Sequence, residues 1–172
     1  MIAVVDYQKG NLKSVERGLI AAGGKAFITA DASEIAKADA IVLPGVGAFA
    51  DAAATMCELG QMEVIRERVR AGVPFLGICL GEHLMFEQGV EGAPEGSRAR
   101  GLGLLPVLFC PHIATQERRA ADLQRMMKRT YGIPAVAIDR AALEVTDGMY
   151  RIIPIDGSAV ALKCFWLGGE YV

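Results

Sequence analysis

Cys79 stands in the stretch GICLGEH, residues 77–83, between two glycines and four places before His83. A cysteine at a strand-to-helix bend is a candidate nucleophile. Neighbours without a Cβ let the chain turn sharply and lift the thiol, and a helix N-terminus favours the thiolate. Read without that context, the same residue is a small core thiol. A second glycine-rich stretch, LPGVGAF at 43–49, also follows an apolar run, and backbone amides of its turn Gly45-Val46-Gly47 are candidate donors to an oxyanion. The nucleophile's proton needs a carrier within about 3 Å, directly or through a water. The chain has 2 histidines to offer, His83 and His112. His83 lies one helical turn after Cys79, and His112 follows Pro111 at the end of a later apolar run. The acidic partner is open among Glu82, Glu91, Glu95 and Glu117.

The elements that must position these groups are legible as pattern. Short continuous apolar runs at Ile2–Val5, Ala26–Ile28, Ala40–Leu43 and Pro74–Ile78 alternate with amphipathic stretches. That alternation predicts parallel strands buried on both faces, joined by helices in βαβ units. Both glycine-rich turns then fall at the carboxyl ends of parallel strands, where open α/β sheets place their sites. A helix is predicted over Asn11–Ala22, with Leu12, Val15, Leu19 and Ile20 on one face and Gly23-Gly24 as its stop, and another over Met62–Ala71. Residues 89–103, GVEGAPEGSRARGLG, read as an exposed loop. Beyond it LLPVLF reads as a strand, and Thr115 as the N-cap of a helix reaching Thr130. From Ile133 the runs IPAVAID, AALEV, MYRIIPI and AVALKCFW are separated by Asp139-Arg140, Asp147-Gly148 and Asp156-Gly157. They predict a C-terminal β-meander closing one edge of the sheet.

Composition narrows the function classes. A chain of 172 residues, 52% hydrophobic, fits one α/β domain over residues 1–172. With 18 basic against 20 acidic residues there is no cationic field for nucleic acid or an anionic membrane. The 4 cysteines lack CxxC or metal-ligand spacing and only 2 histidines could join them, so no metal site is expected; no cofactor is expected either. MIAVVDY lacks the basic start of a signal peptide, and no apolar run approaches the about 18 residues of a bilayer span. The expectation is a soluble cytoplasmic protein with reduced thiols.

Three stretches, VVDYQKGNLKSVERGL, VLPGVGAFADA and GVPFLGICLGEHLMFE, resemble the class I glutamine amidotransferases, most closely the glutaminase subunits of imidazole glycerol phosphate synthase in histidine biosynthesis. The resemblance covers residues 1–88. It implies a flavodoxin-like three-layer α/β sandwich and Cys79 as a nucleophile toward a small-molecule amide or acyl substrate. It further implies an oxyanion hole from Gly45-Val46-Gly47 with the Leu80 amide, and docking on a cyclase partner that receives ammonia. The chain departs from this family at two points. No histidine follows His112 to match the late HPE motif, and the glutamine expected four places after the nucleophile, a substrate contact, is His83.

GLGLLPVLFCPH, QERR, YGIPAVAID, AALEV and YRII instead resemble the peptidase E-like serine hydrolases, over residues 86–172. That resemblance implies His112 as the base, with Cys79 in the place of the serine and a peptide as substrate. Together the two resemblances imply a family boundary near 86–103 and a chimera, natural or engineered. The leading expectation is a cysteine hydrolase of amidotransferase type using Cys79 and His112, with activity weak or lost. The alternatives are a folded chimeric scaffold without catalysis, a peptidase E-like hydrolase with cysteine for serine, and a binding subunit whose replaced C-terminal half forms no stable cyclase complex.

Overall fold

The computed structural model describes residues 1–86, 88–89, 99–116, 118–130, 132–167 and 170–171. Residues 90–98 of the expected loop lie outside the described residues, as do Glu91, Glu95 and Glu117. Two compact units are present, Met1–Leu105 and Pro106–Val172.

The first unit contains β1 (Ile2–Val5), α1 (Leu12–Ala21), β2 (Ala26–Thr29), α2 (Ala32–Ile35), β3 (Ala40–Gly45), α3 (Phe49–Glu58), α4 (Gln61–Arg70), β4 (Phe75–Cys79) and α5 (Leu80–His83). β1 to β4 form one sheet in the order β2-β1-β3-β4, parallel throughout, with Ile2 opposite Ala26 and Ala40 and Ile41 opposite Phe75. The expectation of burial on both faces holds for the two central strands, β1 and β3. The edge strands β2 and β4 are only partly covered. Val5, Tyr7, Leu43, Phe49, Met56, Ile65, Leu80 and Leu84 share one core, the main favourable term in folding such a unit.

Local signals set the helix ends. The Asn11 side chain accepts the Ser14 N–H and starts α1, and Gly23, at φ +90°, follows its C-cap Ala22. α4 opens with the buried Gln61, whose Nε2 donates to the carbonyls of Asp6 (2.8 Å) and Ala30 (3.0 Å) at the ends of β1 and β2. α5 is a single turn, Leu80–His83. The returning chain takes the carbonyls that a longer helix would use. Leu102 N–H donates to Leu84 O (2.7 Å) and Leu104 N–H to Met85 O (2.9 Å), while Leu105 bridges Phe86. Between these, β5 (Gln88–Gly89) pairs antiparallel with β6 (Ala99–Arg100).

The apolar run LLPVLF is therefore divided. Leu104 and Leu105 close the first unit, Pro106 contributes no N–H, and the strand begins only at Leu108. The second unit contains β7 (Leu108–Pro111), α6 (Arg119–Arg129), β8 (Ala135–Asp139), β9 (Ala141–Thr146), β10 (Met149–Pro154), β11 (Val160–Cys164), β12 (Trp166–Leu167) and β13 (Glu170–Tyr171). β7 and β8 are parallel and joined through α6, and β11 lies antiparallel on the other side of β8. Leu123 and Met127 of α6 pack with Leu108, Cys110, Ala135, Ala137 and Cys164. α6 starts at Arg119 rather than at Thr115, whose backbone N–H and hydroxyl are both given to Asp139 instead of capping a helix.

The C-terminal strands fall where the sequence suggested, with a nested pairing. β9 and β10 make their own hairpin through Asp147 (φ +51°) and Gly148 (φ +75°), the two positive values a type I′ turn requires. Arg140, at φ +52°, turns the chain away immediately after β8. β8 thus keeps its edge for β11, and Asp139-Arg140 is a corner rather than a hairpin turn. β12 and β13 pair with each other.

Candidate active site

Cys79 ends β4 directly opposite Gly45, the last residue of β3. The elbow and the Gly45-Val46-Gly47 turn therefore leave the sheet side by side. The cysteine has φ +56° and ψ −119°, a conformation disfavoured for any residue with a Cβ, costing about 1–3 kcal/mol. Its neighbours enforce the bend. A Cβ on Gly81 would fall on the Leu43 carbonyl, and one on Gly77 would sit 2.6 Å from Gly81 O and 2.7 Å from Glu82 N. On Gly45 it would collide with the Tyr7 hydroxyl and lie 2.9 Å from Gly81 N. Gly45, Gly77 and Gly81 are thus demanded by close approach of α5 to two strands. Leu80 and Leu84 anchor the turn in the core, while Cys79 stays exposed. A single turn supplies little of the macrodipole expected to favour the thiolate, because that effect needs aligned peptides over a longer helix.

The Val46 N–H donates to the hydroxyl of Tyr7 at 3.3 Å. Tyr7 is buried at the end of β1. Burial pushes its phenol above the ordinary range, the Val46 hydrogen bond draws it back, and the charge of an ionised Cys79 raises it further. Gly47 has φ +95°, which a glycine accommodates. The Lys9 stem passes 3.9 Å from where a Gly47 Cβ would stand, and its Nζ lies 3.6 Å from the Asp51 carboxylate. His83, at the end of α5, is half-buried. Glu82 precedes it, and burial pushes its carboxyl up to about 7.

In the second unit His112 follows β7 and Asp139 ends β8. Pro111 stands opposite Ile138, so the two residues sit at the carboxyl ends of adjacent parallel strands. His112 has φ +58°, and its carbonyl accepts the Gln116 N–H at 3.1 Å. Asp139 Oδ2 accepts the N–H groups of Ala114 (3.1 Å) and Thr115 (2.9 Å) and the Thr115 hydroxyl (2.8 Å). Burial pushes this carboxyl up, but the Thr115 and Ala114 donors and the nearby His112 outweigh it and hold Asp139 below its ordinary range.

Of the sequence-predicted residues, Cys79, Gly45, Val46, Gly47, Leu80 and His83 thus belong to the first unit and His112 to the second. The sequence marks Asp139 only as a turn residue and Tyr7 not at all as a site residue. Asp139 ends β8 and Tyr7 stands two residues beyond β1, both at the carboxyl edge where such sheets place their sites. Cys110 and Cys164 are buried and Cys57 is exposed on α3. Among the described residues no group of three His, Cys, Asp or Glu side chains could hold a metal ion, and no helix is long and apolar enough to cross a membrane.

A parallel sheet whose strand ends carry a strained cysteine elbow beside a glycine turn has the flavodoxin-like α/β architecture of the class I glutamine amidotransferases. Solved structures agree on the fold. A putative peptidase E protein from Listeria monocytogenes EGD-e superposes with a TM-score of 0.67 at 14% identity, covering 90% of this chain and 86% of that one. A glutamine amidotransferase crystal structure gives 0.52 at 17% identity, covering 98% and 75%. In sequence, the profile of Peptidase family S51 matches residues 26–153. Imidazole glycerol phosphate synthase subunit HisH of Rhodopirellula baltica is 37% identical over 181 residues, covering 99% of this chain and 82% of that protein. The chain belongs to Peptidase family S51 and to the family of HisH subunits. Both matches run across residues 86–103. The chain spans 45% to 56% of the length of further relatives carrying the HisH name.

Proposed function

We propose that this protein is a cysteine-dependent amide hydrolase of class I glutamine amidotransferase type, with Cys79 as its nucleophile. The observation that carries the reading is the backbone of Cys79, held at φ +56° and ψ −119° with its thiol exposed. A merely structural thiol has no need of such a conformation, and strain of this kind clusters at reacting groups. In the proposed reaction Sγ attacks the amide carbon, and the carbonyl electrons move onto an oxygen served by the Gly45–Gly47 turn and the Leu80 amide. The thiol proton passes to a histidine and on to the leaving nitrogen as the C–N bond breaks. Water then cleaves the thioester, returning the thiol and releasing the acid. His112 is the proposed proton carrier, and His83 the proposed substrate contact.

The HisH name of the relatives supports glutamine as the amide and a synthase partner as the destination of the ammonia. The Peptidase S51 match favours a second reading, a peptide substrate with cysteine in the place of serine. Both are tested on one panel in a Cys57→Ser background, which removes the other exposed thiol. The expected result is ammonia and glutamate from glutamine, lost in Cys79→Ala. Peptide cleavage without glutamine turnover selects the second reading. Equal labelling of parent and Cys79→Ala by a thiol-directed activity probe refutes the nucleophile and leaves a chimeric scaffold without catalysis. His112→Ala is expected to lower kcat and His83→Ala to raise KM. Co-elution with the cyclase subunit on gel filtration would extend the reading to ammonia transfer, whereas separate elution confines it to a free-standing hydrolase.

A further inference from the structure

Tyr7 has no part in the proposed reaction, yet its hydroxyl sits among the groups that reaction uses. It accepts the Val46 N–H at 3.3 Å and fills the space that a Gly45 side chain would need. A buried phenol oxygen that accepts one hydrogen bond still has a proton to give. No described carbonyl or carboxylate takes that proton within hydrogen-bonding distance. Gly45, against which the hydroxyl rests, is the cross-strand partner of Cys79. The hydroxyl therefore lies beside the strand position that faces Cys79, and the charge that acts on the phenol is that of Cys79.

We propose that the Tyr7 hydroxyl is a side-chain hydrogen-bond donor to the charge that forms at Cys79, with its oxygen aligned by the Val46 amide. This rests on the reading of Cys79 as the nucleophile. The Val46 N–H then serves the reaction at one remove, by orienting a phenol, while the oxyanion is left to the remaining amides of the turn and to Leu80. The raised phenol agrees with this arrangement, because a proton held firmly on Tyr7 remains available as a donor across the neutral range. The geometry also gives Gly45 a second reason to be glycine, since a side chain there would evict the hydroxyl.

The test uses the full chain with Cys57→Ser and iodoacetamide as the probe. The pH profile of Cys79 alkylation is compared between that parent and Tyr7→Phe, which keeps the ring and removes only the oxygen. Loss of one neutral donor is expected to raise the alkylation midpoint by about one pH unit, a tenfold smaller thiolate fraction below both midpoints. An unchanged midpoint in folded Tyr7→Phe overturns the proposal. A second measurement does not depend on that variant folding. The Tyr7 ring carbon bearing the oxygen, followed by 13C NMR, is expected to show an inflection at the Cys79 midpoint that vanishes in Cys79→Ala. A trace without that inflection in the parent also overturns it. Neither readout requires turnover, so failure of the amidase reading with an intact inflection remains distinguishable from failure of the Tyr7 assignment.

Discussion

Replacing Glu82 by glutamine should change the pH dependence of stability more than any other single substitution near the elbow. Glu82 is drawn against the backbone of β4, where Gly77 leaves room for its own main chain. Burial there moves its carboxyl from 4.5 up to about 7. The folded state therefore holds an extra proton between those two values. Its contribution to stability is full below about pH 4.5 and is lost as pH rises through about 7. At about 1.4 kcal/mol per pH unit the displacement corresponds to about 3 kcal/mol. Partial solvent contact reduces this to about 2 kcal/mol. Urea unfolding of the parent and Glu82→Gln at intervals from pH 5 to pH 8.5 measures the difference directly, because all other titrating groups cancel between the two proteins. The curves should nearly meet at the acid end and separate by about 2 kcal/mol at pH 8, with Glu82→Gln the more stable. A separation that stays constant across the range would refute the argument, since it would mean Glu82 titrates as an ordinary solvated carboxyl.

Gly81→Ala places a Cβ on the Leu43 carbonyl and should cost about 3 kcal/mol or more. Gly18→Ala, in α1 with nothing within 4 Å of the new atom, should stabilise by about 0.5–1 kcal/mol. Urea midpoints of the two variants check both, and a mild Gly81→Ala would contradict the packing account of the elbow. For Asp139, whose carboxyl is held below its ordinary range, the sign is opposite to that for Glu82. Its contribution is present above the unfolded value near 3.8 and is lost as pH falls through the folded one. Asp139→Asn should therefore flatten the acid limb of the stability profile, as followed by circular dichroism below pH 4. An unaltered acid limb would mean that the Thr115 and Ala114 donors do not distinguish the ionised form.

The parallel strands of the first unit were legible because each is an unbroken apolar run between helix-like stretches, and their observed bounds agree closely with the pattern. The cysteine elbow was equally legible, since G-x-C-x-G advertises a bend. The pattern did not reveal why the glycines are there. The Leu43 carbonyl and the Tyr7 hydroxyl, which forbid side chains at Gly81 and Gly45, are distant in sequence and adjacent only after pairing. The second unit was less transparent for a related reason. Thr115 has every local mark of an N-cap, but its donors are claimed by Asp139, 24 positions away. The β8–β11 pairing was hidden behind turn residues that read as a meander, because a left-handed Arg140 is not announced by its residue type. Tyr7 carries no signal in the sequence, because a tyrosine just past a core strand looks like packing until its hydroxyl is placed.

Gln61 has an effect that outruns its place at the head of α4. Its side-chain amide grips the Asp6 carbonyl, half of the peptide group that leads into Tyr7, and with the same nitrogen grips Ala30 at the end of the neighbouring strand. The position of the phenol is thus relayed through a residue that carries no chemistry of its own. Tolerance to substitution around Cys79 should follow this chain of attachment rather than radial distance. Neutral drift can proceed freely on the outer face of α4, while a change at its first residue would be felt as altered reactivity of the thiol.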